Sequence, residues 1–131
     1  VKKIKKIKEK SSDLISKLYN VSSDETVVGK WVDGRNIYRK YIAFGQLNAA
    51  SPMKKPHEIT NIDRCIHIYG SARDTSLDSR YTVPLPFVSI SSAAENINVG
   101  VDEENIQVYF TGDKKWYSAM IIIEYIKQSD T

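Results

Sequence analysis

The stretch WYSAMIIIEYIK, residues 116–127, reads as the longest strand of the chain. At the two-residue period of a strand, Tyr117, Ala119, Ile121, Ile123 and Tyr125 share one face, and Trp116, Met120, Ile122 and Ile126 make up most of the other. A strand with one solvated face alternates apolar and polar side chains. Two apolar faces instead predict a central strand between layers, or a strand that turns one face toward another subunit. Trp116, Met120 and Ile122 are therefore expected at a contact between copies of the domain. The alternative is that their face packs inwards and Ile121 and Ile123 meet the partner.

Upstream of that strand, residues 105–111 and 96–102 alternate (Ile106, Val108, Phe110; Ile97, Val99, Val101), and Gly112-Asp113 marks a turn. Residues 81–90 hold Pro84 and Pro86, which restrict them to an extended edge segment. The polar run 71–80 reads as a surface loop. Residues 64–70 read as a strand with Ile66 and Ile68 on one face and Cys65, His67 and Tyr69 on the other. Gly45, Pro52 and Pro56 make 45–61 a loop. In residues 31–40, WVDGRNIYRK, Asp33-Gly34 joins two strands in a hairpin, because Gly tolerates positive φ and Asp tolerates the left-handed region. The count is six to eight strands. The expected fold is mainly β: an antiparallel β-sandwich, jelly-roll-like, over residues 23–131.

Residues 1–22 read differently. They are rich in Lys, Glu, Leu and Ile without Gly or Pro, and Ile4, Ile7, Ser11, Leu14, Leu18 and Val21 recur at alternating spacings of three and four. That is a heptad seam with one polar member, and it predicts a short helical stalk that associates as a coiled coil. About three heptads are marginal alone, so the helix is expected to end a longer coil or to be held by a domain that already oligomerises. A basic amphipathic helix on an anionic membrane and a lysine arm on nucleic acid are the rival readings. The first lacks Trp and Phe on its apolar face, and the second has no interleaved aromatics.

The net charge of +3 hides a division. Residues 1–10 carry +5, so the rest of the chain carries −2. A near-neutral domain argues against a nucleic-acid groove on the domain itself, and no apolar run approaches the roughly 20 residues of a membrane span. No partner of either kind is expected.

No constellation of catalytic or metal-binding residues stands out. Cys65 is the single cysteine, which rules out an intrachain disulfide and fits folding in a reducing cytosol. His67 lies two residues away but is not placed to take its proton. His57 and His67 have no Cys, Asp or Glu at zinc-ligand spacing. Asp102-Glu103-Glu104 lacks the broken, oxygen-rich spacing of a calcium loop. There is no phosphate-binding glycine loop and no nucleophile elbow. No metal, cofactor or catalytic residue is assigned. Tyr69, Tyr81 and Trp116 suit sugar stacking, and suit a core or an interface better.

One pattern goes further. An acidic residue precedes Gly29, Trp31, Asp33, Gly34, Ile37 and Tyr38; Ile66-His67-Ile68-Tyr69-Gly70 and Pro84-Leu85-Pro86-Phe87 follow; Ile123-Glu124-Tyr125-Ile126-Lys127 ends the series. Over residues 24–128 this resembles a C-terminal head module of tail-fibre, baseplate and minor structural proteins from bacteriophages and prophages of Gram-positive bacteria. The chain departs from that pattern at Ile126, where Thr is common, and in its residues 51–58. The resemblance implies a virion component made in the cytoplasm of a host bacterium. It implies a homotrimer displayed on an appendage, in contact with other virion proteins and with a host cell-surface glycan. It supplies no catalytic residue. The competing expectation is a monomeric carbohydrate-binding module of a cell-wall-targeting enzyme, and a cell-wall hydrolase is a more distant third.

The hairpin carries the first prediction. Gly34→Val should lower stability by about 1 kcal/mol or more, because a β-branched side chain resists positive φ. An unchanged melting temperature would mean that Gly34 is not left-handed.

Overall fold

The computed structural model describes residues 21–78 and 80–129. The expected stalk helix, with Ile4, Ile7, Ser11, Leu14 and Leu18, lies outside the described residues. Val21, the last seam position, is exposed. Immediately after it the chain joins the domain, where the Ser22 carbonyl accepts the Tyr41 N–H at 2.9 Å.

The described residues form two antiparallel sheets. Strands β1 (Thr26–Lys30), β2 (Asn36–Gln46), β4 (Ile62–Asp74), β5 (Thr82–Leu85) and β8 (Tyr117–Lys127) make a five-stranded sheet in the order β1-β2-β8-β4-β5. Strands β3 (Met53–Pro56), β6 (Ile97–Val101) and β7 (Asn105–Phe110) make a three-stranded sheet in the order β3-β7-β6. A short 3-10 turn, Ala93–Glu95, precedes β6. One apolar cluster joins the two sheets: Ile42, Phe44, Ala72, Val83, Leu85, Ala119, Ile121, Ile123 and Tyr125 from the larger, Ile97, Ile106 and Val108 from the smaller.

β8 is central, as its two apolar faces predict. It pairs with β2 on one edge and with β4 on the other. Ala119, Ile121, Ile123 and Tyr125 point into the core, each isoleucine contributing about 1.5–3 kcal/mol by burial. The opposite face is more closed than its sequence suggests. Ile122 and Ile126 are 7% and 2% exposed although neither belongs to the core cluster. The register places Tyr41 and Tyr69 on either side of Ile122. Trp116 sits in the turn before β8 rather than on it.

The hairpin forms with a different turn from the one expected. Gly34 has φ +91°, but Asp33 is not left-handed. The Gly34 N–H reaches the Trp31 carbonyl at 2.9 Å and the Trp31 N–H reaches the Arg35 carbonyl at 2.8 Å, so the loop is the three residues Val32-Asp33-Gly34. This is the turn-plus-left-handed-glycine closure that a three-residue hairpin uses. Asp33 acts through its side chain instead: it accepts the Arg35 N–H at 3.1 Å and the Arg35 Nε at 2.8 Å.

Three other expectations change. Residues 45–61 are not one loop: β2 runs on through Gly45 to Gln46, and Met53–Pro56 form β3, a short edge strand beside β7. The loop expected at 71–80 begins only after Asp74, because Ser71–Asp74 still pair with β5 and β8. In β4 a register shift between Cys65 and His67 puts an extra residue, Ile66, into the strand. A bulge of this kind reverses the alternation. Cys65 therefore packs on the core with Ile68, while His67 and Tyr69 turn outwards with Glu124.

Gly70, the last residue of the sequence block IHIYG, is the point of closest approach between β4 and β8. A Cβ built there would lie 2.0 Å from the Met120 carbonyl oxygen and 3.0 Å from Ile121 Cα, both backbone atoms. Gly70→Ala should therefore destabilise the fold by about 1–3 kcal/mol in urea unfolding. Gly29→Ala, whose Cβ would meet only a methyl at 3.9 Å, should cost less. Equal effects of the two substitutions would contradict this reading of the β4–β8 contact.

Candidate functional site

Asp33, Tyr38, Tyr125 and Lys127 of the motif meet at one end of the five-stranded sheet, with Glu25 and Arg35 between them. The Tyr125 ring stacks on Tyr38, centroids 5.7 Å apart, and its hydroxyl donates to the Glu25 carboxylate. Lys127 Nζ pairs with the same carboxylate at 2.8 Å and lies 4.7 Å from the Tyr38 ring centroid. Beside them Arg35 ties Asp33 to Asp63 at 2.7 Å and to the Lys127 carbonyl at 2.7 Å. Burial, reinforced by the neighbouring Glu25, holds the Tyr125 phenol far above its ordinary range. Its proton stays on the oxygen, as a hydrogen-bond donor to a carboxylate must. These groups bind one another, and the cluster acts as a fold lock.

Cys65 is likewise unsuited to nucleophilic chemistry. Burial pushes its thiol up to about 11, and its Sγ lies 3.5 Å from the backbone carbonyls of His67 and Glu124. A thiol held protonated is a poor nucleophile. His57 is 1% exposed and committed at both nitrogens: Nδ1 accepts the Ile59 N–H at 3.1 Å, which leaves Nε2–H to donate to the Asp102 carbonyl at 2.8 Å. It joins the segment after β3 to the turn before β7. In that turn Asp102 accepts the N–H groups of Glu104 and Asn105 and the Gln107 amide. Those backbone donors lower its pKa. Among the described residues no three His, Cys, Asp or Glu side chains are grouped to hold a metal ion.

The remaining surface of interest is the outer face of the five-stranded sheet, the face turned away from the core. At its centre Glu124 accepts from Arg39 Nε at 3.0 Å and from the Tyr69 hydroxyl at 3.1 Å, with His67 Nδ1 4.0 Å away and the His67 ring tilted against Tyr69 at 4.5 Å between centroids. Towards the start of β8 the face opens into a groove of about 370 Å³. Small side chains cut it: Ala43 and Gly45 on β2, Ser71 on β4, Ser118 on β8. Tyr41, Met120 and Arg73 stand around them. Gly45, at φ +94°, follows a register shift in β2, and a Cβ there would meet nothing within 4 Å. Trp116, 54% exposed, lies just beyond, where its carbonyl accepts both the N–H and the hydroxyl of Thr75.

The structure thus separates the residues expected at a head contact. Ile122 is covered by its own chain, whereas Met120 and Trp116 are exposed. Tyr81 is exposed as well, beside a second, smaller cavity of about 90 Å³ that holds Lys114 and Glu95. The Lys114 ammonium there is already bound to the carbonyls of Ala94 and Thr111. Sequence reading missed the groove, because its small residues come from three strands and align only through the register.

No family model matches the chain, and neither the curated proteins nor the solved structures searched contain a significant match to it. The resemblance to phage appendage modules therefore rests on the motif residues alone.

The thiol gives the prediction of this site. Below pH 9 Cys65 should react with a disulfide reagent far more slowly in the folded chain than in urea. The unfolded thiol ionises near 9.0 and the folded one near 11, so the folded state holds the extra proton between those values. Its stabilising contribution is complete below pH 9 and is lost as pH rises towards 11. Reaction at the rate of a free thiol in the native chain would contradict the burial.

Proposed function

We propose that this chain is a non-enzymatic structural domain of a phage virion, carried on a tail fibre, baseplate or other appendage, where it serves host attachment or appendage assembly. Its two sheets are read as a β-sandwich, jelly-roll-like, with the core between them. Residues 1–22 are read as a coiled-coil stalk that joins three copies, and the head follows directly through the β1–β2 hairpin. The observation that carries this reading is the outer face of the five-stranded sheet. One side of the sheet is committed to the core; the other presents Met120 to solvent at 37% exposure, and Trp116, in the turn before β8, is 54% exposed. Exposed large apolar groups beside a groove suit a surface that meets a partner. Tyr125, Tyr38 and the single thiol, by contrast, are engaged within the fold.

Attachment by such a domain works through avidity. Weak contacts on three heads, held together by one stalk, add up to firm binding without a deep pocket on any of them. The groove also favours a second reading, a carbohydrate-binding module of a cell-wall-targeting enzyme, which would be monomeric.

Solution mass of the whole 131-residue chain separates the two. A trimer is expected, and a monomer at high concentration would favour the second reading. Replacing Ile7 and Leu14 by Asp should loosen the assembly and leave the β signal in circular dichroism intact, since stalk and head use separate apolar sets. Loss of that signal would contradict the division into stalk and head. Turnover of purified peptidoglycan would overturn the non-enzymatic assignment.

A further inference from the structure

The groove between β2, β8 and β4 has a specific charge and hydrogen-bonding character. Its lining side chains include one cation, Arg73, and no carboxylate. Among the described residues the side chain of Arg73 makes no ion pair or hydrogen bond, and neither do the side chains of Tyr41, Ser71 and Ser118. The half-buried acid of β8 on this face, Glu124, is already held by Arg39 and Tyr69. So the groove offers an unengaged guanidinium, three unengaged hydroxyls, and the apolar surfaces of Tyr41 and Met120, in a volume of about 370 Å³. Ligand sites of about 300–1,000 Å³ combine apolar walls with a few polar groups in this way. A hydroxyl both donates and accepts, which suits a partner that is itself rich in hydroxyls. A free guanidinium selects a carboxylate or phosphate, which it meets with two parallel hydrogen bonds.

We propose that this groove is a binding site for an anionic saccharide, with its carboxylate or phosphate on Arg73, its hydroxyls on Ser71, Ser118 and Tyr41, and a ring face against Tyr41 and Met120. The Lys114 cavity does not compete for this role, since its ammonium is bonded to two carbonyls and Glu95 lines the same wall. The saccharide site rests on the attachment reading only for the choice of a surface glycan as ligand. A chain that binds the sugar and is a monomer would overturn the trimer and leave the site standing.

Calorimetric titration of the whole chain tests it. The probes are a galacturonate trisaccharide, the methyl ester of that trisaccharide, glucose 6-phosphate and inorganic phosphate. At least one of the two anionic sugars should bind, and which of them binds more tightly tells carboxylate from phosphate as the recognised group. The methyl ester should bind at least tenfold more weakly than the free acid if the carboxylate is the one read. Arg73→Ala should weaken binding of the preferred sugar tenfold or more, and Arg73→Lys less. Arg64→Ala removes a cation of the same sheet face outside the groove and should change affinity less than twofold. Arg73 is exposed, so these variants should keep the wild-type unfolding curve. The proposal is overturned if neither anionic sugar binds, if Arg73→Ala binds as the wild type does, or if inorganic phosphate alone binds as tightly as the sugars. It is also overturned if Arg73→Ala changes self-association and not sugar binding, which would give the groove to the acidic turn 102–104 of a second copy.

Discussion

Pairing of β8 on both edges is the constraint from which the rest of the structure follows. A central strand leaves its N–H and C=O groups no access to water, so each must find a partner on β2 or β4. Once both neighbours are fixed, so is the register. That register sets Tyr125 beside Tyr38, Ile122 between Tyr41 and Tyr69, and Gly70 against the Met120 carbonyl. A one-residue slip would exchange the faces and turn Ile121 and Ile123 out of the core.

The motif residues act on this same strand. Glu25, Tyr38 and Arg35 come from the hairpin and its approach and reach Tyr125 or Lys127, and Asp33 holds Arg35 in place. Their arrangement fastens the first two strands, close in sequence, to a strand nearly a hundred residues away. For these residues the pattern has a structural cause. The outer face is different: there the register leaves small side chains in a row and larger ones around them.

Much of this was legible in the sequence because it rests on local patterns. Residues 116–127 announce a central strand by being apolar on both faces. Pro84 and Pro86 restrict their segment to an edge, where β5 lies. Gly34 signals a hairpin. What was hidden depends on pairing. The extra residue at Ile66 reverses which side chains of β4 face inwards, and nothing in residues 64–70 signals it. β3 is four residues long, bracketed by prolines and rich in lysine, so it looks like loop until β7 is beside it. The groove is less visible still: Gly45, Ser71 and Ser118 are unremarkable singly and become a cleft only as neighbours across three strands.

Native-state hydrogen exchange of the whole chain tests most directly whether β8 organises the fold. The amides of Ile121, Ile122 and Ile123 should exchange only through global unfolding, and Glu25→Gln should lower their protection by the same amount as it lowers global stability. Faster exchange at these three amides than in β6 and β7, or protection in β8 that does not respond to Glu25→Gln, would contradict the account.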